Sequence, residues 1–199
     1  MQFIKADKLT FDPRPQLGAI FVEGFYQWLK YFSKDKEKLS RAVSHMFNLH
    51  LFYVAVENGE IAAMTACSDG KMPSIRLERQ LICKALGLVR GNFAYIMLKK
   101  HLTGRNYPFA FSNSTGSIEF VTTSEKHRGR GVAAGLITHV MNAMPYGEYV
   151  LEVADTNAVA MRLYERLGFR EIMRTPAAKN TGLNYYVYMK REHNQSCEI

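Results

Sequence analysis

The sequence has few of the residues and runs that mark disulfide-bonded, metal-binding or membrane proteins. Its three cysteines, an odd number at wide spacings, fit neither a disulfide framework nor a CxxC metal site. The six histidines form no HxxxH or HxH pair, so we predict neither a structural nor a catalytic metal. No apolar run reaches the roughly 20 residues that a membrane helix needs, and we expect no membrane partner.

The first residues also lack the charged start and apolar run of a secretory signal. Reduced thiols are the simplest interpretation of the cysteines, and we expect a cytoplasmic protein. The length of 199 residues suits one domain with a sizeable core, and 47% of the residues are hydrophobic. Residues 1–199 are therefore predicted to form a single domain.

The sequence carries an excess of positive charge whose meaning is ambiguous. The net charge is +8, of which +6 falls in residues 1–100 and +2 in residues 101–199. A basic surface attracts phosphate groups of any kind. The basic residues form no long run. Net charge is therefore the only feature that supports nucleic-acid binding, and we consider such binding unlikely. The same charge can serve the phosphates of a small cofactor.

Hydrophobic periodicity predicts a mixed order of strands and helices. Asn58-Gly59 is a strong hairpin turn between two strands. Strands are predicted at 3–5, 51–57, 60–67, 117–123, 149–154, 172–175 and 184–189, and helices at 16–32, 34–47, 75–102, 132–144 and 157–167. Gly87 and Gly91 are expected to interrupt the helical stretch 75–102. The fold class is therefore α/β.

A glycine-rich basic turn joins the strand 117–123 to the helix that follows Gly131. It contains Arg128, Gly129, Arg130 and Gly131. Glycines allow a tight turn and expose backbone amides. The first amides of a helix are unpaired, and the helix dipole favours an anion beside them. The turn therefore predicts a phosphate or diphosphate site, with a basic loop that only caps the helix as the alternative.

Two nucleotide-binding motifs can be compared with this turn. The Walker A pattern GxxxxGK[ST] does not occur in the sequence. The dinucleotide pattern GxGxxA is formally present from Gly129 to Ala134, and Glu152 could serve as its ribose ligand. Five residues separate the strand from Gly129, however, whereas the dinucleotide turn follows its strand at once. A nicotinamide-dependent oxidoreductase thus stays a less favoured alternative.

The sequence resembles the GNAT (GCN5-related N-acetyltransferase) superfamily at two places. Arg128, Gly131 and Ala133 match the signature R/Q-x-x-G-x-G/A, which follows a strand and opens a helix in that family. The run from Asn157 to Phe169 is similar to the second signature, N-x-x-A-x-x-L-Y-x-x-x-G-F. The resemblance covers roughly residues 118–174. It implies a single-domain GNAT-like fold, with a mixed, mostly antiparallel sheet splayed at the acyl-CoA site and flanked by helices.

The resemblance also implies a coenzyme site. The pantetheine arm of acetyl-CoA would lie between the strands 117–123 and 149–154, beside backbone groups of Val121 and Thr123, and Asn157 would touch it. The pyrophosphate would sit on the amides of Arg128, Gly129, Arg130, Gly131, Val132 and Ala133. Tyr164 would face the thioester sulfur. Acetyl-CoA is then a co-substrate, and the reaction needs no metal.

The expected reaction is direct attack of a primary amine on the thioester in a ternary complex. Tyr164 is the expected acid for the leaving thiolate, with a buried aromatic side chain that only packs as the alternative. The backbone N–H of Val121 is the expected oxyanion donor. Glu119 is the candidate base, because strand alternation would place it on the face of Val121 and Thr123. A plain strand carboxylate is the alternative for Glu119. His127 is interpreted as a loop residue.

The acceptor is less defined than the donor. A small-molecule or peptide amine is expected, and a homodimer is plausible. The aromatic run from Phe25 to Phe32 can line an acceptor pocket, although core packing explains Phe25, Trp28 and Phe32 better, and Tyr186 and Tyr188 raise the same question. Residues of about 73–108 are predicted to be a helical insertion into the family core. A GNAT-like module that binds or senses acyl-CoA without catalysis is the main alternative function.

Overall fold

The computed structural model describes residues 1–103, 107–144, 146–178 and 182–192. The strands are β1 Gln2–Lys5, β2 Phe52–Glu57, β3 Glu60–Ser68, β4 Thr115–Thr123, β5 Glu148–Ala154, β6 Arg170–Pro176 and β7 Tyr185–Glu192. The α-helices are α1 Arg14–Leu29, α2 Lys36–Val43, α3 Arg79–Leu86, α4 Leu88–Leu102, α5 Val132–Ala143 and α6 Ala158–Arg166.

The seven strands form one mixed sheet in the order β1-β2-β3-β4-β5-β7-β6. Neighbouring strands are antiparallel except β4 and β5, which are parallel. The predicted single-domain α/β fold with a mostly antiparallel sheet is confirmed. A doubly wound dinucleotide fold needs a mostly parallel sheet, so this topology does not fit the oxidoreductase alternative.

Helices cover both faces of the sheet, and each face has its own apolar cluster. One cluster joins the strands to α1, α2, α3 and α4. The other joins them to α5 and α6, and its members include Leu136, Tyr149 and Tyr164. We call these the α1 face and the α5 face. Burial of apolar side chains on both faces, at about 25 cal/mol per Å², is the main stabilising contribution.

A β-bulge interrupts β4 at Phe120. Ala66 of β3 pairs with Glu119, and Met64 pairs with Thr122, so two β4 residues lie opposite one β3 residue. Phe120 has a φ of 53°, in the left-handed region. This backbone costs about 1–2 kcal/mol. The ring packs near Phe21 and Phe52 on the α1 face, with centroids 6.0 and 6.3 Å away, and burial of one Phe contributes about 1.5–3 kcal/mol.

Of the two glycine breaks predicted in the helical stretch 75–102, the one at Gly87 is confirmed and the one at Gly91 is wrong. Gly87, with a φ of 83°, separates α3 from α4. Gly91 instead lies inside α4, where an added Cβ would be 2.5 Å from the Cα of Cys83. Its hydrogen side chain lets the two helices pack closely. The helix predicted at 34–47 ends earlier, because a 3₁₀ turn follows α2 at Ser44.

The structure also bears on the cysteines and on possible metal-binding and membrane-spanning groups. Cys67 and Cys83 are free thiols, and Cys197 lies outside the described residues. The described residues hold no group of three or more His, Cys, Asp or Glu arranged for a metal ion. A search of the same ranges finds no helix long and apolar enough to cross a membrane. The absence of a metal, the cytoplasmic location and homodimerisation stay predictions.

The packing of α5 on the sheet gives a stability prediction. Leu136 of α5 is 0% exposed in the cluster of the α5 face. We expect Leu136→Ala to lower the free energy of unfolding by about 2–5 kcal/mol, since it removes buried carbons and leaves a cavity. Urea denaturation followed by circular dichroism measures the loss. Val159→Ala on α6, where Val159 is 72% exposed, is the control and should change stability by less than about 0.5 kcal/mol.

Candidate functional site

The strands β4 and β5 part shortly after they begin. Their pairing joins Thr115–Ser117 to Glu148–Val150, whereas β4 continues to Thr123 and β5 to Ala154. The far edge of β4 pairs with β3, and the far edge of β5 pairs with β7. The two facing edges therefore enclose an opening with backbone N–H and C=O groups on both sides. An extended polar chain can satisfy such groups.

The basic turn lies at the wide end of this opening. A 3₁₀ turn at Glu125–His127 follows β4, and α5 begins after Gly131. Gly129 and Gly131 have φ values of 73° and 74°, which favour glycine, and an added Cβ on either would meet no atom within 4 Å. The first bond of the helix runs from the amide of Gly135 to the carbonyl of Gly131. The amides before it point toward the helix N-terminus, where an anion is favoured.

The two arginines of the turn have different partners. Arg128 donates from Nε to the carbonyl of Thr123 at 3.2 Å, so its two terminal nitrogens can bind an anion. Arg130 forms an ion pair with Glu57 on β2, with nitrogen–oxygen distances of 3.0 Å. The hydrogen bond and charge of Arg130 lower the pKa of Glu57. Arg128 is therefore the arginine with more capacity to hold a phosphate.

The turn is fastened to the β2–β3 hairpin. His127, interpreted from the sequence as a loop residue, is buried and bonds to Ser124 Oγ through Nδ1 at 2.7 Å. Its Nε2 lies 3.4 Å from a carboxylate oxygen of Glu57. Lys126 forms an ion pair with Glu60 at the other end of the hairpin turn. These contacts hold the amides of the turn in place before any ligand binds.

Helix α6 carries the two other residues that the second signature singles out. Asn157 is the N-cap, and its Oδ1 accepts a hydrogen bond from the amide of Ala160 at 3.1 Å. Capping uses the oxygen, so the NH₂ group of Asn157 can still donate to a ligand. Tyr164 is 6% exposed and packs edge-on against Phe169 at 6.1 Å. Burial raises the pKa of the Tyr164 phenol above its ordinary value of 10.0, so the phenol stays protonated at neutral pH.

The bulge at Phe120 corrects the predicted position of Glu119. Simple alternation would place Glu119 on the face of Val121 and Thr123. The extra residue changes the phase of the strand, so Glu119 pairs with Ala66 of the α1-face cluster, while Val121 packs against the α5-face cluster. The structure thus groups Val121, Val132 and Tyr164 on the α5 face and separates Glu119 from them.

Glu119 instead lies in the wall of a cavity on the α1 face. The cavity has a volume of about 490 Å³. Ser74 and Ser117 donate hydroxyl hydrogen bonds to the two carboxylate oxygens of Glu119, the second at 2.6 Å. The backbone of Ser74 is fixed because its carbonyl accepts from the amide of Asn48 at 2.9 Å. The neighbouring thiol of Cys67 has its pKa raised to about 12, chiefly by burial and also by the charge of Glu119.

Three aromatic residues that the sequence analysis missed form another wall of this cavity. They are Tyr107, Phe109 and Phe111, which follow α4. Tyr107 and Phe109 also contact Tyr188 of β7, with ring centroids 5.8 and 5.9 Å apart. The alternation of aromatic residues from 107 to 111 was the available signal. No residue of the run from Phe25 to Phe32 lines this cavity, and Phe25 packs on Phe21 at 4.4 Å in the core.

The comparisons with known proteins agree with this geometry. The model of the acetyltransferase (GNAT) family matches residues 19–169. An N-acetyltransferase from Staphylococcus aureus Mu50 aligns with 96% of this chain and 100% of its own, at 16% identity and a TM-score of 0.63. A GCN5-related N-acetyltransferase from Kribbella flavida aligns with 96% of this chain and 97% of its own, at 18% identity and a TM-score of 0.56.

A third structure, the ribosomal-protein-S18-alanine N-acetyltransferase from Escherichia coli, has 16% identity and a TM-score of 0.54 and covers 96% of this chain and 92% of its own. No protein of curated function matches the chain by sequence. At these identities the solved structures establish a shared fold and no shared acceptor.

The ion pairs of the turn give a pH prediction. The pKa of Glu57 is lowered from its ordinary 4.5, so its contribution to stability is complete above that pH and is lost as the pH falls through the lower folded-state pKa. We expect Glu57→Gln to destabilise the protein at pH 7, and the difference from the parent to shrink steadily below pH 4.5. Urea unfolding at several pH values measures this. Glu165→Gln, at an exposed position of α6, is the control and should leave the stability at pH 7 close to that of the parent.

Proposed function

The chain belongs to the acetyltransferase (GNAT) family, and on that premise we propose that it is an N-acetyltransferase. It transfers the acetyl group of acetyl-CoA to a primary amine of a small-molecule or peptide acceptor by direct attack in a ternary complex. The observation that carries the proposal is the opening between β4 and β5, with the glycine-rich turn at its wide end. This combination suits a ligand with a long polar arm and a diphosphate.

The coenzyme would bind along this opening. The pantetheine arm would exchange backbone hydrogen bonds with the β4 edge near Val121 and Thr123, and the NH₂ group of Asn157 would reach it from α6. The pyrophosphate would lie on the amides of the turn and the first turn of α5 and beside Arg128. The ion pairs of the turn with Glu57 and Glu60 support this role, because a cradle that is already ordered loses little entropy on binding.

The two substrates would approach the opening from opposite faces of the sheet. Acetyl-CoA approaches from the α5 face, where the phenol of Tyr164 protonates the departing thiolate. The amine approaches from the α1 face, where Glu119 accepts its proton directly or through a water. In a bulge the extra residue leaves the strand ladder incomplete, so the backbone N–H of Val121 can donate to the oxyanion of the tetrahedral intermediate.

Release of coenzyme A thiol tests the proposal. Purified protein is supplied with acetyl-CoA and a panel of primary amines, and free thiol is followed with a chromogenic disulfide. Amine-dependent thiol release, with the N-acetyl product identified by mass spectrometry, is the expected result. Calorimetric binding of coenzyme A without thiol release for any amine would favour the non-catalytic acyl-CoA module instead.

Coenzyme recognition gives a prediction for Arg128. We expect Arg128→Gln to weaken coenzyme A binding about 10- to 100-fold, because a charged hydrogen bond contributes about 1.5–3 kcal/mol. Pantetheine lacks the pyrophosphate, and its affinity should stay the same. Isothermal titration calorimetry compares the two ligands. Arg90→Gln on the exposed surface of α4 is the control and should leave both affinities unchanged; an equal loss for pantetheine would contradict the phosphate role.

Catalysis gives a prediction for Tyr164. We expect Tyr164→Phe to lower kcat by about 10²-fold, with the coenzyme KM nearly unchanged, because the phenol acts only as the thiolate leaves. Since burial raises the pKa of the phenol, the parent kcat should show no alkaline decline from this group below pH 10. Steady-state kinetics from pH 7 to pH 10 measure both. Tyr53→Phe, in the same apolar cluster, should retain the parent kcat, and unchanged turnover of the Tyr164 variant would remove Tyr164 from the mechanism.

A further inference from the structure

The cavity of the α1 face has the size of a small-molecule site. Its volume of about 490 Å³ falls within the range of roughly 300–1,000 Å³ that is typical of ligand pockets. Its wall includes Ser117 and Glu119 on β4, next to the point where β4 and β5 part. A ligand in this cavity therefore lies beside the opening, on the face opposite Tyr164.

Glu119 is a carboxylate with hydroxyl partners and no cation. Among the residues that the structure describes, Ser74 and Ser117 are its side-chain partners, and no Lys, Arg or His forms an ion pair with it. Asp69, the other lining carboxylate, pairs with Lys71 at 3.6 Å. A partly buried charge without an opposite charge is unfavourable. The cavity therefore favours a positively charged ligand next to Glu119.

The aromatic wall gives the ligand its second property. The ring centroids of Tyr107 and Phe111 lie 4.8 Å apart, and those of Tyr107 and Phe109 lie 5.4 Å apart. The loop from Ser68 closes against this wall, since an added Cβ on Gly70, whose φ is 78°, would come within 3.2 Å of the Phe111 ring. Aromatic faces attract both ammonium groups and apolar surface. The wall thus suits an apolar body attached to a cation.

We infer that the acceptor is a small organic cation, with a primary ammonium group next to Glu119 and an apolar, ring-sized body against Tyr107, Phe109 and Phe111. This inference rests on the proposed transferase function and specifies its substrate class. An acceptor with a carboxylate beside the amine would meet the charge of Glu119 and bind poorly. A peptide amine would leave the aromatic wall largely unused.

The proton balance of the reaction fits this acceptor. The ammonium gives one proton to Glu119, which passes it to water, and the neutral amine attacks the thioester carbon. A C–N bond forms, the C–S bond breaks, and the thiolate takes a proton from Tyr164. The new amide nitrogen loses a second proton, which restores the phenol through solvent. Overall, ammonium and acetyl-CoA give the N-acetyl product, coenzyme A thiol and one proton.

A ligand that cannot react tests the cavity separately from catalysis. Phenethyltrimethylammonium carries a ring and a cation but no N–H group. We expect it to bind the coenzyme A complex in a calorimetric titration and to bind Glu119→Gln at least about 10-fold more weakly. Glu148→Gln is the matched control, because Glu148 also accepts a hydroxyl hydrogen bond from β4, from Thr115, outside the cavity. Its affinity for the probe should equal that of the parent.

The aromatic wall is tested by a second pair of variants. Phe109→Leu should weaken probe binding about 3- to 10-fold, because it removes one aromatic contact with the ring of the probe. Phe93→Leu, at an exposed position of α4, should have no effect. Thermal unfolding of each variant verifies folding, and the Phe109 result keeps the test decisive if Glu119→Gln fails to fold.

Matched substrates complete the test. Phenethylamine and phenylalanine differ by one carboxylate, and ethylamine lacks the ring. We expect kcat/KM for phenethylamine to exceed that of each of the others by about 10-fold or more. Three results would overturn the inference. They are failure of the probe to bind, binding of the probe to Glu119→Gln and Phe109→Leu with the affinity of the parent, and a kcat/KM for phenylalanine or ethylamine that equals or exceeds that for phenethylamine. Probe binding with the predicted variant effects but without thiol release for any amine would refute the transferase function, and with it the acceptor role, and would leave the cavity as a binding site for an aromatic cation.

Discussion

The pairing between β4 and β5 ends early and leaves backbone polar groups without a strand partner inside the sheet. Beyond Ser117 and Val150 the two strands diverge, and each keeps its other neighbour in the sheet. Backbone N–H and C=O groups on the facing edges need partners, because an unpaired buried polar group costs about 1–3 kcal/mol. A ligand with an amide-rich arm satisfies them without any change of fold. In the proposed function, the turn at Arg128–Gly131 would hold the anionic end of that ligand.

The bulge at Phe120 determines which side chains of β4 lie on each face of the sheet. Without it, Glu119 would follow Val121 and Thr123 onto the face of α5. With it, the carboxylate lies in the cavity beside Ser74 and Ser117. The left-handed backbone of Phe120 costs about 1–2 kcal/mol. Packing of its ring against the aromatic side chains of α1 and β2 offsets that cost.

The sequence predicted most of the fold because local signals and tertiary packing agree in it. The Asn58-Gly59 hairpin, Gly87, the glycine turn and the helix predicted at 157–167 rest on short-range patterns, and each appears in the structure close to the expected residues. The coenzyme opening was predicted from the two signatures. The roles assigned to Tyr164, Asn157 and the turn stay predictions, as does the insertion at 73–108, which contains α3 and α4.

The cavity of the α1 face could not be predicted from the sequence, for a physical reason. Its lining comes from three distant stretches of chain, around Ser68, Tyr107 and Glu119, which only the tertiary fold brings together. The face of Glu119 depends on one residue with a positive φ, and a phenylalanine gives no local indication of that conformation. Strand alternation is reliable only where the ladder is regular.

The change of phase at Phe120 also has an evolutionary meaning. Residues 117 and 119 line the cavity of the α1 face, whereas residues 121 and 123 lie on the α5 face. Selection can therefore alter one set without disturbing the other, although fewer than ten residues of a single strand carry both. Under the proposed function, substitutions in the cavity would change the acceptor preference without changing the donor. One extra residue in a strand thus allows two sets of side chains within one continuous segment to vary independently.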